Sequence, residues 1–537
     1  MSTGFDQLTK EFLDFSHKDS PVSASFLGLK EFDGMWGDIS PDGVKTSLAK
    51  YLEFKKRFLD LQNLTSEEEI DRQVVVSQID SAEIYSKEYN IYQKVPSTGS
   101  QYVSSAIFML LSRAETLNAH SCEAIISLLK GVPKQLSDAI AHLAGGGICP
   151  ISRQVALETA SGTQEFFTAL PGILAQANYD ISDVNKEALK AVEDYIDFLK
   201  KLPEVDDDYA TGKEIFSRLL KCDHLLSVSV EEVEEMGEKL LADSKKNQTE
   251  LAKNIDPGKT PEELISELKK VHPSAEELQD TYKHFMESAK AFIIDHHLID
   301  LPPNEQLDMI PTPPFNRATI PYAAYFGPEV YAPRQVGKFM VTPVDEKDEQ
   351  KREEILRGHC TYRLPGISLH EAYPGHHLQI SWGTRTKRLL RKEAFNNIFI
   401  EGWALYCETM MTEEGYISKP EEKLFLANDL VWRAARVVVD IGIHCHHKGY
   451  PWAVEFMVNE AGLERPHAET ECKRYISTPT QPLSYALGRM MLLNLRSELR
   501  KKLGDKFSLQ DFHNRLMQFG SVHLPLIIQE VKASYAL

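Results

Sequence analysis

Two stretches hold residue types that could bind and use a metal ion. One is Ser368-Leu369-His370-Glu371-Ala372-Tyr373-Pro374-Gly375-His376-His377-Leu378-Gln379, and the other, a little further on, is Phe399-Ile400-Glu401-Gly402-Trp403-Ala404-Leu405-Tyr406. A His-Glu pair, a second His a few positions on and a Glu on a following apolar segment are the parts of a mononuclear zinc hydrolase site. Two imidazoles and one carboxylate hold the ion, and a free carboxylate activates water. The expected assignment is His370, His376 and Glu401 as metal ligands and Glu371 as general base.

The spacing is unusual. Two histidines grip one ion most simply at i and i+4, on one face of a helix, but here the i+4 position is Pro374. On a regular helix His370 and His376 would lie about 9 Å apart along the axis, at about 1.5 Å per residue, too far for one ion. The expectation therefore requires a local deformation. Pro374-Gly375 gives a reason for one, since Pro lacks an amide donor and clashes with the preceding turn while Gly tolerates unusual backbone angles. A two-residue bulge would bring His376 to the usual i+4 place and leave His377 out of phase. The competing account is a buried His-Glu pair on an ordinary helix that Pro-Gly terminates. Glu401 argues against it, because a carboxylate among Ile398, Phe399, Ile400, Trp403, Ala404 and Leu405 needs a partner or a metal. A partly exposed helix glutamate is the alternative for that residue.

These residues carry a resemblance. His-Glu-x-x-Pro-Gly-His followed by Glu-Gly-Trp-Ala-x-Tyr resembles the pattern of the bacterial-type DUF885 family, which is similar in fold to helical zinc carboxypeptidases and oligopeptidases. The match continues through Arg433-Ala434-Ala435-Arg436, Asp440, Gly442 and His444, then Arg474-Tyr475-Ile476, Pro479, Gln481, Tyr485 and Gly488. It covers about the last 230 residues well and the first 300 in general character. One departure is Thr480, where the family commonly has Gly. The resemblance implies zinc on His370, His376 and Glu401, with Glu371 as base. It also implies a large, mainly α, metallopeptidase-like body with a deep central channel. By the same likeness Tyr485 would hydrogen-bond an oxyanion or scissile carbonyl, with a buried structural phenol as the alternative.

The elements that must position these groups are mostly helices. From Phe5 to about Ile299, apolar residues recur at three- and four-residue spacing, as in Val44 to Leu61, Val184 to Leu199 and Leu278 to Ile294. Helix starts are marked by Ser66 with Glu69, Ser229 with Glu232, Ser274 with Glu277 and Thr260-Pro261. Gly145-Gly146-Gly147 follows a helix and lacks the Lys-Ser/Thr of a phosphate loop, so a helix connection is expected. His296-His297 reads as a helix C-terminus. Beyond Leu301, Pro and aromatic residues accumulate, and Ala318 to Phe326 and Gly337 to Thr342 read as strands of a small sheet beside the zinc helix. Such a sheet could bind an extended peptide at its edge or simply cover the helices. Asp345 to Arg357 reads as a solvated helix, and Leu364-Pro365-Gly366 sets where the zinc helix begins. The expected division is a helical scaffold over 1–300 and a catalytic region over 301–537, within one integrated fold.

A long helix is expected from about Glu421 to His447. On it Arg433, Asp440 and His444 share a face, and Arg436, Asp440 and His444 are successive i+4 neighbours. Charges in so apolar a helix must pair internally or meet a ligand. In the second case Arg433 and Arg436, with Tyr475, would bind substrate and His444 would donate to an oxyanion. Asp440 or Glu408 would orient a ligand histidine. The run His444-Cys445-His446-His447 does not converge on one helix face, which excludes a second metal site there.

Composition limits the function classes. The 537 residues carry 60 basic and 79 acidic side chains, a formal charge of −19, which argues against a nucleic-acid groove. No apolar run approaches a membrane span, and the first residues show neither a basic nor an apolar signal region. Seven scattered cysteines (122, 149, 222, 360, 407, 445 and 472) read as reduced thiols, so a cytoplasmic protein is expected. The function expected from the whole is zinc-dependent hydrolysis of short peptides. Alternatives are an amidase or lyase acting on an amino-acid conjugate, and a non-catalytic helical scaffold.

Overall fold

The computed structural model describes residues 4–113, 117–206, 209–312, 320 and 322–536. It forms two compact units, Met1–Asp223 and His224–Leu537. The boundary expected near residue 300 falls earlier because the helices between 230 and 295 pack on C-terminal ones. Val230–Ile255 lies along Pro420–His444, and Leu278–Asp295 lies on Leu364–Glu371.

The first unit is helical throughout its described length apart from connections and one isolated bridge. Its centre is four helices, Ser97–Arg113, Ala119–Leu143, Pro150–Ala175 and Ser182–Lys201, in which the first packs on the second and third, and both of those pack on the fourth. Val103, Ile107, Leu129, Phe167 and Leu199 are among the buried side chains that join them. An Asn118–Ser121 capping box opens the second helix, and the Gly145-Gly146-Gly147 connection links it to the third. The cap expected at Ser66 lies one residue earlier: Thr65 accepts from the Glu68 amide while the Glu68 carboxylate returns to the Thr65 amide. Ser66 is thus the first helical residue, satisfied by position rather than by its side chain.

In the second unit, close crossings decide the helix arrangement. Gly402, on Asn397–Glu413, meets Gly488, on Ser484–Leu503, so closely that a Cβ at 488 would fall 1.9 Å from the Ile398 carbonyl oxygen. Only hydrogen fits there, and the contact holds the Glu401 helix against the Tyr485 helix. Gly237 likewise admits Val437, with a built Cβ only 2.6 Å from Val437 Cγ1. The caps at Ser229 and Thr260 form as expected.

The small sheet has three strands, β1 (Gln306–Pro311), β2 (Ala323–Phe326) and β3 (Val336–Val341), in the order β1-β3-β2. β1 runs parallel to β3, and β2 runs antiparallel to it. The first strand was not expected, since Leu307, Met309 and Pro311 lie in a Pro-rich stretch without clean alternation. Of the expected Ala318–Phe326 run, only 323–326 is strand, and 318, 319 and 321 lie outside the described residues. Phe339 and Val341 of β3 pack with Tyr282, Leu356 and Leu364, which places the sheet beside the start of the 364–371 helix. Leu364 and Pro365 begin that helix, with Pro in the first turn where its missing donor costs nothing.

Candidate metal centre

Chain direction breaks between His370 and His376 in the way the spacing demands. The helix Leu364–Glu371 stops, Ala372 leaves helical geometry, the Tyr373–Pro374 peptide is cis, and a new helix starts at His376. The Gly375 amide donates to the Leu369 carbonyl at 3.0 Å, and the Leu378 amide donates to Ala372 at 3.3 Å. Each bond spans six residues instead of four, the signature of two extra residues in the turn. Gly375 is required by space, because a Cβ there would lie 1.8 Å from the His370 carbonyl oxygen. The Trp403 indole N–H fastens the bulge from the neighbouring helix by donating to the Pro374 carbonyl at 2.8 Å, and the Cys407 thiol approaches the same oxygen at 3.7 Å.

The deformation brings four candidate side chains together. The His370 and His376 rings sit perpendicular with centroids 4.8 Å apart. His370, Glu371 and His376 each offer a ligand atom within 4.8 Å of the others. Glu401 reaches in from the next helix, its Oε2 3.5 Å from His376 Nε2 and 4.0 Å from His370 Nε2. Both imidazoles are nearly buried, at 8% and 9% exposure. Burial would raise the Glu401 carboxyl, but the His376 and His370 rings outweigh it and hold it down to about 2. Glu371 is half-buried and makes no hydrogen bond or ion pair among the described residues, which leaves its carboxylate free.

Glu408, one heptad beyond Glu401, accepts from His370 Nδ1 at 2.7 Å. That bond fixes the tautomer and leaves His370 Nε2 with its lone pair toward Glu401 and His376, as second-sphere carboxylates do for ligand histidines. Burial alone would lower the His370 pKa, yet the hydrogen bond to Glu408 and the charges of Glu408, Glu371 and Glu401 raise it above the ordinary value. Two imidazole nitrogens and a carboxylate, with a fourth position for water, match the donor set of a catalytic zinc site. The residues therefore fit the ion.

His377 is placed elsewhere. Its Nε2 meets Glu305 Oε2 at 2.8 Å and its Nδ1 meets the Tyr325 hydroxyl at 3.2 Å, so the ring ties the bulge to β2 and to the residue preceding β1. Tyr373 and Lys290 also donate to Glu305. Burial works against the Glu305 charge, but these donors bring its carboxyl down to about 2.

Of the remaining expected site residues, two keep a place near the cluster. Tyr485 lies close enough to Glu401 to help hold its carboxyl down. The Arg433 guanidinium lies over Trp432 and Tyr485, 4.1 and 5.4 Å from the ring centres. Its Nε and Nη1 are buried without a hydrogen-bond partner among the described residues, and burial, with Arg436 close by, lowers its pKa.

Four further candidates take the internal pairing that was the alternative for this stripe. Arg436 is bound internally, its Nε donating to the Tyr475 hydroxyl and its Nη2 to Glu471, each at 2.9 Å. Tyr475 is fully buried, takes a further bond from Trp432 and donates to Glu471 at 2.7 Å, so it supports Arg436 instead of meeting substrate. Glu471 is held down to about 2 against its burial by Arg436 and Arg474. His444 Nε2 is committed to the Tyr475 carbonyl at 3.1 Å, so that nitrogen is not an oxyanion donor. Asp440 accepts from the Thr480 amide at 3.4 Å, leaving Glu408 as the acceptor that orients a histidine. The common reason is that this face of the 420–444 helix packs on the segment 471–483, whose backbone and carboxylate absorb the polar groups. Thr480 belongs to the same arrangement. Its φ of +67° is left-handed, where Gly costs least, and the Thr480 hydroxyl offsets the strain by bonding His224 at 2.9 Å.

Sequence reasoning missed Glu305, Tyr325 and the clamp role of Trp403. Trp403 was visible in the motif, although only its apolar character was read. Glu305 follows Pro302-Pro303-Asn304, where no periodicity marks a partner.

Fold and site thus define a mainly helical protein with a small sheet beside a kinked two-histidine, two-carboxylate cluster. The chain belongs to the family described as "Bacterial protein of unknown function (DUF885)", which it matches over residues 21–531. Among solved structures it is similar to a protein from Shewanella oneidensis described as a "putative lipoprotein of unknown function". That similarity has a TM-score of 0.81 at 20% identity and covers 98% of this chain and 100% of the other. It is also similar to a "putative lipoprotein" from Colwellia psychrerythraea, with a TM-score of 0.81 at 18% identity and full coverage of both chains. At such identities the likeness establishes the fold. No curated protein matches the chain. No helix among the described residues is long and apolar enough to cross a membrane.

Proposed function

We propose that the protein is a zinc-dependent hydrolase of short peptides, with carboxypeptidase- or dipeptidase-like action. The observation that carries this reading is the convergence of His370, His376 and Glu401 beside an unpaired Glu371 carboxylate. Zinc held by the first three would supply the Lewis acidity that brings the pKa of water toward about 7 and polarises the scissile carbonyl.

The chain's own groups account for the rest. Glu371, free of other partners, takes the proton of the attacking water and passes it to the departing amine nitrogen. Glu408 keeps His370 in the tautomer that presents Nε2. Tyr485, beside Glu401, donates to the carbonyl oxygen as negative charge develops on it. Arg433, with two N–H groups unpaired among the described residues and two aromatic rings beside it, suits a free substrate carboxylate. An acylated amino acid presents the same carboxylate, so amidase action on a conjugate is the second reading. The net charge of −19 favours neither nucleic acid nor an anionic membrane as partner. Seven cysteines without disulfides favour a cytoplasmic location, whereas the description of the structural neighbours favours the cell envelope; cell fractionation separates the two.

The test is hydrolysis of short peptides and of N-acyl amino acids by zinc-loaded protein, beside Glu371→Gln. Peptide cleavage that disappears in the variant supports the proposal. Cleavage of acyl amino acids alone replaces it with the second reading, and no turnover of either class overturns both.

A further inference from the structure

The first unit contains a cavity of about 450 Å³, within the size range of small-molecule sites. Five tyrosines, Tyr51, Tyr85, Tyr92, Tyr102 and Tyr195, contribute to its wall. Its charged lining is two carboxylates, Asp19 and Asp38, with neither Lys nor Arg. Asp19, Tyr85 and Tyr92 are partly exposed, so the cavity reaches solvent.

Three features give it the character of a cation site. Asp19 is the last residue of the helix Gly4–Asp19, so its charge adds to the partial negative charge of the helix end. A carboxylate at that position gains from a positive group that faces it. The adjacent Lys18 does not serve, because it is turned to Asp14 at 2.8 Å on the exposed side. The Asp19 carboxylate is steadied by the Ser47 hydroxyl.

The aromatic faces are fixed in place. Tyr92 stacks on His142 at 4.2 Å and 10°, and His142 Nε2 donates to the Ile39 carbonyl at 2.7 Å. The Tyr195 hydroxyl donates to the Pro96 carbonyl. Gly99 leaves room for that ring, since a Cβ there would lie 2.9 Å from the Tyr195 oxygen. Burial, with the nearby Asp19 charge, pushes the Tyr102 phenol up to about 12 and Tyr51 up as well. The Tyr51 and Tyr102 rings therefore stay neutral at physiological pH and line the cavity as uncharged aromatic surface. Aromatic walls with carboxylates set among them are the arrangement that attracts alkylammonium groups.

We propose that this cavity binds a small organic cation bearing an alkylammonium group, held between the tyrosine faces and Asp19. The proposal does not depend on the metal centre. The test is calorimetric titration of the full chain with choline and with its neutral isostere 3,3-dimethylbutan-1-ol. Saturable one-site choline binding, at least tenfold tighter than the alcohol, is expected. Asp19→Asn should weaken choline tenfold or more and leave the alcohol unchanged, while Lys18→Ala should change neither. Absence of saturable choline binding, or equal binding of the alcohol, overturns the proposal without any variant having to fold. Retained choline affinity in a folded Asp19→Asn protein overturns it too.

Discussion

The carboxylate of Glu408 offers the sharpest handle on the proposed metal centre, because among the described residues it bonds the site through His370. Its 2.7 Å bond to Nδ1 is made by a residue 8% exposed, so solvent does not replace it. Glu408→Gln keeps an acceptor in the same place and removes the charge. A charge-assisted hydrogen bond is about twice as strong as a neutral one, and loss of an outer-sphere partner lowers metal affinity about 10- to 100-fold. We therefore expect a graded series, in which Glu408→Gln loses about tenfold in zinc affinity, or about 1.4 kcal/mol. Glu408→Ala, which leaves Nδ1–H without an acceptor, should lose about a hundredfold. Competition against a chromophoric chelator at fixed pH measures the series, with circular dichroism confirming that each variant is folded. Zinc affinity unchanged in both folded variants would refute the reasoning, since the histidine would then not depend on its carboxylate.

Other substitutions address separate parts of the account. Glu371→Gln should retain zinc and thermal stability while lowering turnover by about 10²- to 10⁴-fold, the usual worth of a general base; the rate and metal content are read on the same sample. Arg433→Ala should raise KM for peptides with a free C-terminus much more than for their amidated forms, a contrast that loss of packing alone would not produce. Gly488→Ala places a methyl 1.9 Å from the Ile398 carbonyl and should destabilise the fold by about 3 kcal/mol or more, read as a lower urea midpoint. His513 accepts from Tyr406 and donates to the Leu298 carbonyl, and burial holds its pKa down to about 3. The unfolded chain protonates it near the ordinary value of about 6.5, so stability falls as pH drops through that window, by up to about 1.4 kcal/mol per unit. Urea midpoints measured from about pH 7 to about pH 5 should show less of this loss in His513→Gln.

How much was legible in advance depended on the reach of the interaction. The bulge could be read because its cause is local: Pro374 blocks the i+4 position, and Gly375 sits where no side chain fits. Helix periodicity and caps were readable for the same reason, with the Thr65 cap displaced by one residue because Thr and Ser adjoin and either can cap. The polar stripe from Arg433 to His444 was visible, but its partners were not. Arg436 and His444 bond to Glu471, Tyr475 and the Tyr475 backbone, which are thirty or more positions away. Spacing on one helix says which groups share a face; what that face meets is decided by the chain that packs on it. The division of the structure at residue 223 was not readable either, since pairing of Val230–Ile255 with Pro420–His444 leaves no local mark.

Metal content per chain is the most direct test of the centre itself. Purified protein loaded with zinc and freed of excess should carry one equivalent. His370→Ala, His376→Ala and Glu401→Ala should each lose it while remaining folded by circular dichroism, and His377→Asn should keep it. Zinc retained by His376→Ala and lost from folded His377→Asn, or none bound by the parent protein, would contradict the account.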